Sequence, residues 1–217
     1  MGKRIAGFTL AEVLITLGII GIVAAITIPI LQKNIKEMQF KTAYKKAYSD
    51  AYNIWQSMYL NNEVEPCTTS CETNCSDKNF ISFKTHLNII KSCGDSSWAG
   101  GVKGCWELTG ESINDYLENP NPNKTTGAGS FGATDNSGRN WIMLAGNWIC
   151  GQVLVVDTNG FIKPNQIGKD RFIFRAQNRD GSSGKGIASK IVPSADYQSK
   201  TAYCNFPPCY GTKWLYK

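Results

Sequence analysis

The chain has 217 residues, of which 42% are hydrophobic, and a formal net charge of +6 at neutral pH. This length allows one membrane-spanning helix and one globular domain of modest size. The positive charge is mild, so it permits contact with phosphates but does not by itself predict a nucleic-acid-binding protein. The only histidine is His86, which excludes a histidine-rich metal centre.

An uncharged apolar run, residues 13–31, follows a short basic leader that contains Lys3 and Arg4. As a helix this run is about 28 Å long, which is enough to cross the hydrocarbon core of a bilayer. The two leader cations fit an orientation with the leader in the cytoplasm and the rest of the chain outside. The sequence therefore predicts a single-pass membrane protein with an extracytoplasmic C-terminal domain.

A lone carboxylate, Glu12, stands at the N-terminal end of the run and needs a partner. Thr9-Leu10-Ala11-Glu12 fits a capping box, which would explain Glu12 in an ordinary membrane anchor. Cleavage after Gly7 would instead create an α-amino group on Phe8 that is mostly charged at neutral pH. Both interpretations stay open on the pattern alone. A secretory signal peptide is disfavoured, because no small-residue cleavage site follows the run.

The string Gly7-Phe8-Thr9-Leu10-Ala11-Glu12-Val13-Leu14-Ile15 resembles the processing and methylation motif of type IV pilins and type II secretion pseudopilins. The resemblance covers residues 1 to about 31. It implies cleavage by prepilin peptidase between Gly7 and Phe8, N-methylation of Phe8, and pairing of Glu12 with the Phe8 amine of a neighbouring subunit. The implied partners are other pilin or pseudopilin subunits, an inner-membrane assembly platform and the lipid bilayer.

Pro29 lies inside the predicted helix, where it removes a hydrogen bond and clashes with the preceding turn. Membrane helices tolerate proline and glycine, which is one interpretation. Gly18 and Gly21 also weaken the helix. The resemblance implies another interpretation, in which Pro29 and a glycine about two turns before it mark a segment that can extend when subunits pack into a fibre. Pro29 is therefore a candidate assembly residue.

Beyond the apolar run, apolar side chains recur at three- and four-residue steps, and lysines fall largely on the other face. The recurring residues are Ile35, Met38, Tyr44, Ala47, Tyr48, Ala51, Ile54, Trp55, Met58 and Tyr59. We predict one continuous helix from Thr9 to about Leu60. The predicted divisions are a leader (1–7), a membrane and assembly half of the helix (8–31), an amphipathic half (32–61) and a globular domain (62–217).

Short runs rich in branched and aromatic residues predict strands at 141–145, 152–156, 161–162 and 172–175. Asp157-Thr158-Asn159-Gly160 predicts a turn in which the glycine takes a positive φ. Short helices are predicted at 80–90 and 111–118. The expected fold class is α+β and pilin-like, with the long N-terminal helix packed on a small antiparallel sheet.

Eight cysteines, an even number, predict four disulfides in an extracytoplasmic domain. They allow on the order of a hundred pairings, so the connectivity stays open. Cys204 and Cys209 are the best local candidate pair, since they would close a tight loop. A metal site at Cys67, Cys71 and Cys75 is the alternative, but this spacing does not fit a zinc knuckle or ribbon.

Four oxygen-bearing side chains, Asp157, Asn159, Asp170 and Asp180, are weak candidates for calcium, because major pseudopilins carry a calcium loop. The surrounding sequence has fewer acidic residues than a full calcium site requires. The preference of Asp and Asn for turns also explains these residues. Residues 127–132 spell G-x-G-x-x-G without the strand and helix that phosphate binding requires, so we expect a loop there. No catalytic residue, no enzyme activity and no cofactor are predicted.

These observations predict a structural subunit of a type IV pilus-like or type II secretion pseudopilus filament, located in the periplasm or at the cell surface. A DNA-binding pilin of a competence apparatus is one alternative, and it would need a basic stripe on the globular surface. A membrane-anchored extracytoplasmic binding protein or enzyme is another, and an enzyme would need a convergent polar pocket. The lysines of the amphipathic helix are out of phase with its aromatic residues, which argues against a nucleic-acid partner.

Overall fold

A computed structural model describes residues 7, 9–68, 74–93, 105, 130–144, 152–165, 168–182 and 185–193. Within these parts the chain forms two helices and six strands. The helices are α1 (Leu10–Leu60) and α2 (Asn74–Thr85), and the strands are β1 (Ile89–Cys93), β2 (Ser130–Asp135), β3 (Asn140–Leu144), β4 (Val153–Asp157), β5 (Arg171–Asn178) and β6 (Ala188–Pro193). The chain falls into two compact units, Met1–Gln39 and Phe40–Lys217.

The helix α1 is a single element of 51 residues, which confirms the predicted continuous helix. Pro29 lies inside it without ending it. The C-terminal end is a Schellman motif, in which Asn62 takes a left-handed backbone with φ 58°. There the Glu63 N–H donates to the Met58 carbonyl at 2.8 Å and the Asn62 N–H donates to the Tyr59 carbonyl at 3.2 Å. These bonds satisfy carbonyls that the helix end would leave unpaired.

The hydrophobic core of the second unit lies between α1, α2 and one face of the sheet. The helix contributes five side chains that are fully buried, at helical spacing: Tyr44, Ala47, Ala51, Trp55 and Met58. They share this core with Trp141, Met143, Leu154, Val156, Phe172 and Phe174.

Specific contacts support this packing. The Tyr44 ring lies 4.3 Å from the Phe172 ring, and the Trp55 indole N–H donates to the Ala188 carbonyl at 2.9 Å. The predicted apolar stripe is therefore correct from Tyr44 onward. Ile35 and Met38 are 45% and 69% exposed, because they belong to the first unit, whose described residues include no strand.

The six strands form one antiparallel sheet in the order β1-β2-β3-β4-β5-β6, which confirms the predicted α+β class. Val155 lies at the centre of the sheet, paired with Ile142 on β3 and with Ile173 on β5. All five residues of β4 are buried, so both faces of this strand are covered. A strand buried on both faces carries a continuous apolar run rather than an alternating one.

Strands β3, β4 and β5 were predicted, but the strand predicted at 161–162 is wrong. Phe161 and Ile162 lie in the connection between β4 and β5 and are 50% and 69% exposed. This connection is a turn because Asp157, at the end of β4, accepts hydrogen bonds from Asn159 and from the Arg171 side chain. Gly160 has the predicted positive φ, 68°, and a Cβ there would lie 2.5 Å from the Gly138 carbonyl.

The helix predicted at 80–90 is also partly wrong, since α2 ends at Thr85 and β1 begins at Ile89. At the break, the Ile89 N–H donates to the Leu87 carbonyl, and the Asn88 carbonyl accepts from the N–H of Asn136, which is distant in the sequence. Residues 130–132, the end of the glycine-rich string, begin β2 instead of forming a loop. The helix predicted at 111–118 lies outside the described residues.

Candidate functional site

The predicted cleavage point lies just before the first turn of α1. Gly7 is exposed, and a Cβ placed on it would meet nothing within 4 Å. Phe8 lies outside the described residues. The helix begins at Leu10, so the bond between Gly7 and Phe8 precedes the helical backbone in the sequence.

Thr9 and Glu12 form a reciprocal capping box at the start of α1. The Thr9 N–H and the Thr9 hydroxyl both donate to Glu12 Oε2, at 2.8 Å and 2.7 Å. The Glu12 N–H donates back to Thr9 Oγ1 at 3.3 Å. This geometry matches the capping interpretation of Glu12 within one chain. Both bonds to the carboxylate end on Oε2, and among the described residues nothing donates to Oε1.

The surface of α1 from Val13 to Leu31 is apolar and exposed on all sides. Its large aliphatic side chains are between 41% and 65% exposed. Two hydroxyls in this stretch are hidden in the helix, because Thr16 and Thr27 donate to the Glu12 and Val23 carbonyls at 2.9 Å. The segment is long and apolar enough to cross a membrane. A helix that is hydrophobic all round requires a bilayer or other chains around it.

Four of the eight cysteines are described, and they form two disulfides, Cys67–Cys75 and Cys93–Cys105. None of the described cysteines is free. The alternative of a metal site is wrong for Cys67 and Cys75, which are bonded to each other. Cys71 and the predicted pair of Cys204 and Cys209 lie outside the described residues.

The carboxylates among the calcium candidates are occupied by protein donors. Asp157 Oδ2 accepts from the Arg171 guanidinium at 2.8 Å, and both side chains are 1% exposed. Asp170 Oδ2 accepts from the Asn165 N–H at 2.7 Å. Asp180 lies in a different turn, where its carboxylate accepts from the N–H and hydroxyl of Ser182. Among the described residues no three metal-binding side chains are gathered, and calcium binding stays a prediction.

These carboxyl groups differ in their electrostatics because they differ in burial. Burial raises the pKa of Asp157 to about 7, even though Arg171 acts in the opposite direction, and the nearby Asp170 raises it further. The Ser182 hydroxyl and N–H hold the pKa of the exposed Asp180 below its ordinary value. Burial raises the pKa of Asp77, at the start of α2, to about 6.

The sequence did not predict two links that hold the second unit together. Asn79, on α2, accepts from the Glu65 N–H at 2.7 Å and donates to the Glu65 carbonyl at 3.0 Å and to Gln152 at 2.8 Å. Cys67 pairs through its backbone with Gly186. No local sequence pattern predicts these contacts, because the partners are far apart in the chain.

Residues 2–28 match the family model described as the prokaryotic N-terminal methylation motif. This motif is the signature of type IV pilins and pseudopilins, so the resemblance seen in the string from Gly7 to Ile15 is confirmed. It implies processing by prepilin peptidase and assembly with other pilin-type subunits, and it indicates a structural rather than a catalytic role. No curated protein and no solved structure matches the chain.

Proposed function

We propose that the chain is a structural subunit of a type IV pilus-like or type II secretion pseudopilus filament. Prepilin peptidase cuts it between Gly7 and Phe8, the new Phe8 amine is methylated, and subunits assemble through α1 on an inner-membrane platform. The observation that carries this proposal is the match of residues 2–28 to the N-terminal methylation motif. The exposed apolar surface of α1 supports it, because that surface needs either lipid or neighbouring helices.

The disulfides support an extracytoplasmic position for the second unit. Disulfides form and persist in oxidising compartments and are rare in the cytoplasm. Cys67–Cys75 and Cys93–Cys105 both lie in the second unit, and the basic residues Lys3 and Arg4 lie on the other side of the apolar run. The unassembled subunit is therefore anchored in the membrane, with its leader in the cytoplasm and its globular domain on the extracytoplasmic side. It then enters a filament in the periplasm or at the cell surface.

Glu12 is the residue that directs assembly in this proposal. Among the described residues of one chain, Thr9 donates only to Oε2, and no cation contacts the Glu12 carboxylate. In surroundings with little water an unpaired ion is costly. The Phe8 amine of a neighbouring subunit supplies the missing cation, and because this pair forms at one height along the fibre, it sets the axial register between helices.

Sequencing of the mature N-terminus tests the processing step. We expect a chain that begins with N-methylated Phe8, and we expect Gly7→Val to leave full-length protein in the membrane, because the peptidase site accepts a small residue before the cut. Gly21→Val is the matched control, since a Cβ at Gly21 also meets nothing within 4 Å. A mature protein that keeps Met1, or that is cut beyond Leu31, would refute the proposed filament function.

The two filament types differ in where the protein is found. A surface pilus is sheared from cells and sediments as fibres that contain the mature chain. A secretion pseudopilus stays with the cell envelope and is released only when the outer layers are opened. Mature chains that remain single in the membrane of cells with an intact assembly system would contradict both versions of the proposal.

A further inference from the structure

A cluster of cations follows the apolar run along α1. Residues 32–46 contain five lysines and one glutamate, Glu37, which together give this stretch a formal charge of +4. The lysines, which we call the cationic segment, are Lys33, Lys36, Lys41, Lys45 and Lys46. The preceding residues, 13–31, carry no charge at all. The boundary between an apolar surface and a cationic one is therefore abrupt.

Within the described part of the chain, ion pairs do not account for the charge of three of these lysines. Lys33, Lys36 and Lys46 are exposed, and within the described part of the chain the structure records no ion pair for any of these three. Asp50, the acid one turn after Lys46, is bound by the Arg139 guanidinium at 2.6 Å. The exposed lysines are thus open to a partner from outside the chain.

Membrane orientation does not account for the cluster either. Lysines and arginines next to a membrane span favour the cytoplasmic side. The leader carries only Lys3 and Arg4, whereas the opposite flank carries five lysines. The disulfides nevertheless support an oxidising compartment for the second unit. The lysines therefore lie on the extracytoplasmic side, which the positive-inside tendency disfavours. A role other than setting membrane orientation is needed to explain them.

We propose that Lys33 and Lys36, the first two lysines of the cationic segment, bind the headgroups of anionic phospholipids on the extracytoplasmic side of the membrane. This inference rests on the proposed function, because it requires the subunit to be anchored there with its second unit outside. Charge complementarity and position both favour a lipid surface. The segment begins two residues after the apolar run, at the level where the headgroups surround a spanning helix.

Distances along the helix indicate which lysines lie at the level of the lipid headgroups. With a rise of about 1.5 Å per residue, Lys33 lies about 3 Å and Lys36 about 7.5 Å beyond Leu31 on a helix along the bilayer normal. The headgroup layer is about 5 to 8 Å thick on each side, and the flexible stem of lysine adds reach. Lys33 and Lys36 are therefore the principal contacts.

Lipid selectivity in a bilayer tests this binding on the full chain. The protein is reconstituted in phosphatidylcholine membranes with a trace of spin-labelled phosphatidylglycerol or phosphatidylcholine, and electron paramagnetic resonance measures the motionally restricted fraction of each lipid. We expect about a fivefold preference for phosphatidylglycerol, the effect of roughly one lysine near a charged surface. Molar salt should reduce this preference strongly.

The double variant Lys33→Gln/Lys36→Gln should lose most of the preference, and glutamine keeps the helix propensity. The matched control is Lys163→Gln/Lys185→Gln, which removes the same charge from exposed positions in loops of the second unit and should keep the preference. Equal restricted fractions of the two lipids in the unaltered protein would overturn the proposal. So would a preference that survives in the first double variant, or one lost equally in the control.

The lipid measurement and the filament proposal fail in different ways. The spin-label assay needs only the anchored chain, whereas the filament proposal is read from the mature N-terminus and from fibres. An unprocessed chain with a lysine-dependent preference would refute the filament proposal and keep the lipid contact. A processed, assembling chain without the preference would refute the lipid contact alone.

Discussion

Arg139 Nη1 donates to Asp50 Oδ2 at 2.6 Å and so joins the turn between β2 and β3 to α1 within the second unit. The same guanidinium donates through Nε to Asp135 Oδ2 at 2.7 Å and lies 5.2 Å from the Trp141 ring. Asp135 also accepts from the Ser137 and Arg139 N–H groups. The Arg139 side chain is only 10% exposed, so its charge depends on these partners.

The first prediction concerns this link. Asp50→Asn removes one of the two carboxylates at Arg139, and we expect the free energy of unfolding to fall by about 1 to 2 kcal/mol. The loss stays below that of a fully buried pair, because the Asp50 side chain is 34% exposed and Asp135 remains. Denaturant unfolding of the detergent-solubilised protein, followed by tryptophan fluorescence, measures it.

The control for this prediction is an exposed ion pair of the same unit. Glu65 and Lys78 lie 3.7 Å apart, with side chains that are 48% and 62% exposed. Exposed pairs contribute about 0 to 1 kcal/mol, so Glu65→Gln should change stability little. Equal losses from the two variants would mean that the burial of Arg139 does not matter.

The second prediction is a pH dependence that comes from Asp157. Its folded pKa, about 7, lies above the ordinary 3.8. Between these values the folded state holds a proton that the unfolded state has released, so stability falls as pH rises. The contribution is fully present below about pH 4 and is lost as the pH passes about 7.

Melting temperatures at pH 5 and pH 8 measure this dependence, with Asp157→Asn as the comparison. Asparagine does not titrate. The stability of the Asp157→Asn variant should therefore fall less between pH 5 and pH 8 than that of the unaltered protein, whatever the absolute stability of the variant. Asp77, whose pKa is also raised, acts in the same direction and is present in both proteins. Identical pH slopes in the two proteins would show that Asp157 is already ionised at pH 5.

The third prediction concerns the thiols. Titration of the denatured, unreduced protein should find no free thiol, because the two described disulfides and the two predicted ones would account for all eight cysteines. Removal of Cys93–Cys105 by a double alanine variant should cost about 2 to 3 kcal/mol. Four or more free thiols together with bound zinc would instead support a metal site among the cysteines outside the described residues.

The sequence predicted those elements whose patterns are long or unambiguous. The helix α1 could be predicted because one half is uniformly apolar and the other repeats buried residues such as Tyr44 and Trp55 at helical spacing. Strand β4 could be predicted because residues 153–156 form a branched apolar run that ends at the turn beginning with Asp157. The N-terminal site could be predicted because its motif is local and specific.

The remaining elements are set by partners that are distant in the sequence. Strand β1 is exposed except at Cys93, so its Ile89 and Ile90 carry no alternation that marks a strand. Strand β6 ends in Pro193, which local rules count against a strand, yet β6 lies at the edge of the described sheet, where proline is tolerated. The link between Asp50 and Arg139 spans 89 residues. Such contacts depend on the folded sheet and not on local sequence.

The last prediction separates the two roles of Glu12. Both hydrogen bonds from Thr9 end on Oε2, so the amide oxygen of Glu12→Gln can accept them and keep the cap, whereas Glu12→Val loses it. If capping were the whole role, Val would cost about 1 kcal/mol of helix stability and both variants would form fibres. If the negative charge pairs with the Phe8 amine of a neighbour, both variants should be cut after Gly7 yet fail to assemble. The measurement is filament yield beside the processed fraction, and normal fibres from the Gln variant would show that the pair with Phe8 does not direct assembly.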